Sequence, residues 1–407
     1  MISLCYCTNI FPGESYKDLI ANLEKHVAPT LKRTPDLFGK DKEQIAPLAC
    51  LGLRISNLAS REMMSGFTEL KAFCEKHSCY IASINGFPYG TFHDADIKEK
   101  VYQPDWRERE RVDYTKRLIE LSAKLQAQIN HPLQKKGLAQ RACGIAISTS
   151  PIAFKEGFER RPPSIIIERG AKSKDWSTSI SHLREVIAHC LTINGETHTK
   201  TSIALEPEPA CVIETLDETE QLFEALALNN REHEVFGLCL DCCHQAVQFE
   251  SAADWLELFA SGRASLKKLQ VSSAISVNRQ GIASLKDFDE PTYLHQCVIQ
   301  SGSELIRISD LDQLGSASHI DDDIDEVRCH FHVPVFADCI EAPSGQLLGT
   351  TQNFLTELLP KLATQPYLCL EVETYTFAVL PQSVSLPTLP ENIERELRWT
   401  ARALKSD

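Results

Sequence analysis

Short apolar strands and amphipathic helices alternate along nearly the whole chain, and this alternation restricts the fold more than any other feature. Eight segments read as strands: Ser3–Asn9, Ala49–Ser56, Cys79–Asn85, Arg141–Thr149, Thr201–Glu206, Phe236–Asp241, Leu266–Ser272 and Tyr367–Glu373. Helical patterns follow them at about 15–26, 58–77, 105–130, 176–191, from 217, at 252–259 and at 391–404.

Within the later strands the side chains fall into two rows. One is large and apolar: Ile203, Leu205; Leu238, Leu240; Leu269, Val271; Leu368, Leu370, Val372. The other is small or polar: Ser202, Ala204, Glu206; Gly237, Cys239, Asp241; Lys268, Gln270, Ser272; Cys369, Glu371, Glu373. Large side chains under a helical shell, with small and polar ones inside, are what a closed (β/α)8 TIM barrel needs. A doubly wound open sheet is the competing architecture, but no Gly-x-Gly-x-x-Gly follows the first strand to favour it. A length of 407 residues suits a large barrel with insertions or two domains, and the expectation is a single barrel domain over 1–407. Val327–Phe336 is a ninth strand-like segment, preceded by a long stretch that ends in the acidic run Asp321–Asp323. It reads as part of an insertion at about 273–350, after the seventh strand, crossing the barrel mouth; the alternative makes it the eighth strand.

Phe236–Glu250 (FGLCLDCCHQAVQFE) carries the sharpest chemical signal. An apolar strand ending in Asp241, with His244 three residues on, needs a partner for that charge. The bland reading is an Asp capping the next helix and a solvent-facing His. Other strands end alike. The fifth gives Glu206 and Glu208, the seventh Gln270, the inserted segment His330 and His332 at spacing two, and the last Glu371 and Glu373. In a barrel these tips share one mouth. Carboxylates crowded there repel one another unless a cation neutralises them. Oxygen ligands with an occasional nitrogen suit Mn²⁺ or Mg²⁺, and Zn²⁺ if both histidines join. Arg54 reads as an anion-binding group or a structural ion pair, Asn85 as a substrate contact or a turn residue, and His93 as a surface-loop residue.

A net charge of −14 argues against nucleic acid or an anionic membrane as partner. No apolar run reaches the length of a membrane span, and no secretory signal pattern is seen. The 15 cysteines lie mostly inside apolar strands, as buried thiols in a reducing cytoplasm would. Cys239 and Cys242 have redox spacing, but they straddle a strand end with Asp241 between them.

The order Glu, Asp-x-x-His, a seventh-strand ligand and a final Glu resembles the xylose-isomerase-like barrels, which include sugar isomerases, epimerases and endonuclease IV enzymes. His330-Phe331-His332 resembles the paired-ligand segment of the latter. Over most of its length the chain resembles the EboE "metabolite traffic" family, through YCTNIFPGES, LGLRIS, NGFPYGTFH, LEPEP, DCCHQAVQFE, KLQVSSA, YLHQ, HFHVPVF and LEVETYTFAVLP. That resemblance implies a role beside other Ebo cluster proteins in handling a secondary-metabolite precursor. The xylose-isomerase-like pattern, and not the EboE likeness, implies a divalent metal (Mn, Mg or Zn) on Glu206, Asp241, Gln270, His332 and Glu371, with Glu206, Glu371 and His244 catalytic. Arg54, Asn85, Glu208, His330 and Glu373 would contact a small-molecule substrate. Gln270 departs from the pattern, since epimerases usually place a histidine there. The expected activity is a metal-dependent sugar or polyol isomerase or epimerase. A metal-dependent phosphoester hydrolase and a non-catalytic metabolite-binding barrel are the alternatives.

Overall fold

The computed structural model describes residues 2–38, 48–90, 98–132, 144–159, 173–289, 293–316, 324–365, 367–378, 380 and 388–405. His93 and Asp321–Asp323 lie outside them.

Eight parallel strands form the barrel: β1 (Ser3–Tyr6), β2 (Ala49–Arg54), β3 (Cys79–Asn85), β4 (Ile145–Thr149), β5 (Thr201–Leu205), β6 (Phe236–Asp241), β7 (Leu266–Val271) and, after an insertion, β14 (Cys369–Val372). Each pairs with its neighbour in chain order, and β14 returns to lie between β7 and β1. A parallel bridge from Cys7 to Gly52 joins β1 to β2 and brings the sheet round on itself. The fold is therefore a TIM barrel, and the open-sheet alternative is discarded.

The two side-chain rows explain the closure. Ile203, Leu205, Leu238, Leu240, Leu269, Val271, Leu370 and Val372 are fully buried in one apolar core with the surrounding helices. Each such burial is worth about 1.5–3 kcal/mol. The small row faces inward, where side chains from different strands touch: Cys5 meets Cys369, and Lys268 meets Glu371 and Ser148. Residues level with one another on adjacent strands include Asp241, Gln270 and Glu371.

The insertion is a second, antiparallel sheet of six strands: β8 (Ser273–Val277), β9 (Cys297–Ser301), β10 (Glu304–Ile308), β11 (Glu326–Val333), β12 (Cys339–Glu341) and β13 (Leu347–Thr350). It has a core of its own, to which β11 contributes Val327, Cys329, Phe331 and Val333. Strand periodicity then puts Arg328, His330 and His332 on the opposite face. The β11–β8 register shifts between Cys329 and Val333, at the His330–His332 stretch, an irregularity of the kind that re-aims side chains. The expected segment Val327–Phe336 is thus β11 of the inserted sheet and not the eighth barrel strand.

Candidate active site

The tips of β5, β6 and β14 bring Glu206, Asp241 and Glu373 together, with one carboxylate oxygen of each within 4.8 Å of the others. Asp241 does two jobs with its two oxygens. Its Oδ1 accepts from the His244 backbone N–H at 3.0 Å, capping the helix Cys242–Val247, and from Ser272 Oγ at 2.7 Å. Its Oδ2 is buried with no hydrogen-bond partner among the described residues, as is Glu206 Oε2. Glu373 Oε1 accepts from Asn9 Nδ2 at 2.7 Å and from Cys7 Sγ at 3.3 Å.

Three histidines complete the floor. His332 Nδ1 is 2.7 Å from the Glu373 carbonyl, His244 Nδ1 is 3.0 Å from the Pro207 carbonyl, and His330 Nδ1 is 2.7 Å from Gln296 Oε1. An oxygen acceptor at Nδ1 holds the proton there and leaves Nε2 with a bare lone pair. His332 Nε2 lies 3.9 Å from Asp241 Oδ2, and His244 Nε2 lies 3.8 Å from Asp241 Oδ1. Burial lowers His244 to about 4, against the pull of Asp241, and holds His330 well below the usual histidine range. Both rings are neutral at physiological pH.

Burial acts on the carboxylates in the opposite sense. Glu206 is held well above the usual range by desolvation and by the charges of Glu373 and Asp241. Glu373 is raised for the same first reason, although His332 draws it down. Glu208 is pushed up to about 8 by burial, with Tyr102 donating to it at 2.8 Å. Above these groups lies a cavity of about 70 Å³, with Phe87, Tyr102, Tyr293 and Tyr375 among its walls.

Two expected site residues, Glu371 and Arg54, sit elsewhere. Glu371 is outside the carboxylate trio. Its Oε1 is 2.8 Å from Lys268 Nζ and its Oε2 accepts from Ser83, and a Cβ on Gly52 would overlap it. Arg54, expected at the mouth, is fastened to the Gly13 carbonyl and Glu14, each at 2.7 Å, and lines a different, smaller cleft. Asn85 does line the cavity, and its Oδ1 holds the Phe87 N–H at 3.1 Å. Gln270 is fully buried level with Asp241, and neither polar atom of its amide has a hydrogen-bond partner among the described residues. Cys239, Cys242 and Cys243 are buried free thiols whose pKa values burial raises, the reverse of a reactive thiolate. Sequence reasoning missed Lys268 as the partner of Glu371 and missed Tyr102, and it quoted Gln296 and Tyr375 only within the motifs YLHQ and LEVETYTFAVLP, without a role.

The donor set fits a divalent cation. Two atoms bound to one ion at roughly 2.0–2.2 Å lie at most about 4.4 Å apart, close to the spacing seen here. Unpartnered buried polar atoms such as Asp241 Oδ2, Glu206 Oε2 and His332 Nε2 are costly unless something satisfies them.

No protein-family model matches the chain, and no curated protein matches it. Among solved structures it is similar to the E. coli 3-keto-D-glucoside 4-epimerase YcjR, at 11% identity and a TM-score of 0.44, covering 99% of this chain and 100% of that one. It is similar to the IOLI protein with a bound zinc atom, at 12% identity and a TM-score of 0.46, covering 99% and 98%. It is also similar to a xylose isomerase-like TIM barrel protein from Mycobacterium smegmatis in complex with magnesium, at 12% identity and a TM-score of 0.46, covering 99% and 97%. At these values the likeness carries no argument about chemistry, which rests on the geometry above.

Proposed function

We propose that the protein is a divalent-metal-dependent isomerase or epimerase acting on a sugar- or polyol-like carbonyl compound. Glu206, Asp241, Glu373 and His332 would hold the ion, with Gln270 beside them. Glu373 replaces Glu371 in this assignment because Glu371 is already committed to Lys268. The observation that carries the reading is the buried group of Glu206 Oε2, Asp241 Oδ2 and His332 Nε2, all without hydrogen-bond partners among the described residues, with Glu206 and His332 lining the cavity.

A bound divalent ion would polarise a substrate oxygen and offset the negative charge of the carboxylates. The chain's own residues supply the rest. Glu208, at about 8, can hold or release a proton near neutral pH, and Tyr102 fixes its position. His244, neutral and anchored on Pro207, offers a lone pair to a substrate hydroxyl. Asn9 and Asn85 stand at the cavity wall as polar contacts, and the aromatic walls limit water. The EboE-like motifs support a place in a secondary-metabolite pathway, with other Ebo cluster proteins as partners.

The test is metal content by mass spectrometry for wild type, Glu206→Gln and Glu371→Gln, followed by an aldose–ketose screen. One ion per chain, lost in the first variant and kept in the second, is expected. Two or more zinc ions per chain would favour the phosphoester hydrolase. No metal, with no rise in melting temperature on adding Mn²⁺, would overturn the proposal and leave a metabolite-binding barrel.

A further inference from the structure

The buried amide of Gln296 stands where the inserted sheet meets the barrel, one residue before β9. Its Oε1 faces His330 Nδ1 at 2.7 Å. Its Nε2 donates to Tyr102 Oη at 3.0 Å and to the Pro209 carbonyl at 3.2 Å. Tyr102 Oη in turn lies 2.8 Å from Glu208 Oε1.

Hydrogen-bond chemistry gives this series one direction. An amide oxygen only accepts, so the proton of His330 must sit on Nδ1. An amide nitrogen only donates, so the Tyr102 oxygen accepts from it and its single hydrogen is left for Glu208. The Pro209 carbonyl fixes which way the amide faces. Were the amide turned over, its oxygen would meet the Pro209 oxygen, and two acceptors cannot bond. The turned amide would also move the His330 proton to Nε2 and draw the Tyr102 hydrogen away from Glu208.

We infer that Gln296 is a positioning residue that sets the protons of the cavity, fixing His330 as its Nδ1–H tautomer and turning the Tyr102 hydroxyl onto Glu208. His330, His244 and Glu208 can each bring one ligand-type atom within 4.8 Å of the other two. The Nε2 lone pair of His330 has no hydrogen-bond partner among the described residues, and one Glu208 oxygen is already engaged by Tyr102. Gln296, at the edge of the inserted sheet, therefore fixes where the hydrogens of His330 and Tyr102 sit in the cavity. The catalytic meaning of this arrangement rests on the isomerase reading, but the proton positions do not.

The experiment is nitrogen NMR of the histidine rings in the full-length, metal-free protein labelled with ¹⁵N-histidine. A His330→Asn variant identifies the His330 signals. Wild type is expected to show His330 protonated on Nδ1 with a bare Nε2. Gln296→Leu is expected to lose that Nδ1–H signature, while His332 and His244, held by backbone carbonyls, retain theirs and report an intact site. Gln296→Glu is expected to rescue the tautomer as the buried neutral acid, whose carbonyl oxygen accepts from His330 and whose hydroxyl meets the Pro209 carbonyl. A wild-type His330 protonated on Nε2 overturns the inference without any variant, and so does an unchanged His330 signal in a folded Gln296→Leu protein. The readout uses neither metal nor substrate, so it stands or falls separately from the isomerase assignment.

Discussion

Lys268 Nζ lies 2.8 Å from Glu371 Oε1 inside the barrel, and neither side chain reaches solvent. Burial works against the charge on Lys268, but Glu371, together with Cys239, Cys7 and Glu206, outweighs it and holds the ammonium well above the usual lysine range. The pair is ionic, and its desolvation is recovered only while both partners are present. Lys268→Met should cost about 3–5 kcal/mol, because it strands a buried carboxylate. Lys268→Met with Glu371→Gln should recover most of that loss. Urea unfolding of the two proteins measures the difference, and equal stabilities would refute the pairing argument.

Gly52 belongs to the same arrangement. An added Cβ there would occupy the space of the Glu371 carboxylate, which Ser83 also engages. Gly52→Ala is expected to destabilise by about 1–3 kcal/mol, as overpacked cores do. In a Lys268→Met/Glu371→Ala background the same change should cost little. A double-mutant cycle by chemical denaturation reads the coupling directly.

Much of the barrel was legible because strand periodicity is local. Cys79–Asn85 and Phe236–Asp241 were expected within the bounds observed, and Glu206 and Asp241 could be assigned to strand tips from two-residue alternation alone. The choice between Glu371 and Glu373 was not legible. Both share the inward row, and what separates them is Lys268 on the neighbouring strand, brought level with Cys369 by the register. Arg54 has the inward parity too, yet the carbonyl of Gly13 and the carboxylate of Glu14 draw it aside. Gln296 and Tyr102 act through contacts 194 residues apart, which no local pattern encodes. The strands β8, β9, β10, β12 and β13 went unread because each is only three to five residues long, within a stretch that has little apolar periodicity.

Metal binding at Glu206, Asp241, Glu373 and His332 should release protons. Burial, with the mutual repulsion of the carboxylates, holds Glu206 well above its ordinary value and Glu373 above it. The metal-free site therefore retains protons that an incoming cation displaces, and apparent affinity rises with pH until both groups ionise unaided. Titration calorimetry with Mn²⁺ in two buffers of different ionisation enthalpy measures the protons released. Binding that is no weaker at pH 6 than at pH 8 would contradict this arrangement of ligands.

Glu396 makes the stability of the barrel pH-dependent independently of the metal. It is fully buried, accepting from Tyr6 Oη at 2.8 Å and from the Val335 N–H at 3.2 Å. Thr374 Oγ1 donates to it at 2.5 Å. Burial outweighs these donors and raises its pKa from 4.5 to about 7. The native state thus binds this proton more tightly than the unfolded chain. The associated stability is complete below pH 4.5, declines as pH rises toward 7, and is gone above it. The decline amounts to about 3 kcal/mol. Glu396→Gln should remove it. The amide oxygen can keep Thr374 and Val335, while the amide nitrogen donates to Tyr6, whose hydroxyl still has the Thr374 carbonyl at 2.8 Å to donate to. The variant is therefore expected to match wild type near pH 4.5 and to exceed it at pH 8, read as unfolding free energies in urea at the two values. A wild-type protein as stable at pH 8 as at pH 5, with no gain from Glu396→Gln, would show that Glu396 is ionised in the fold.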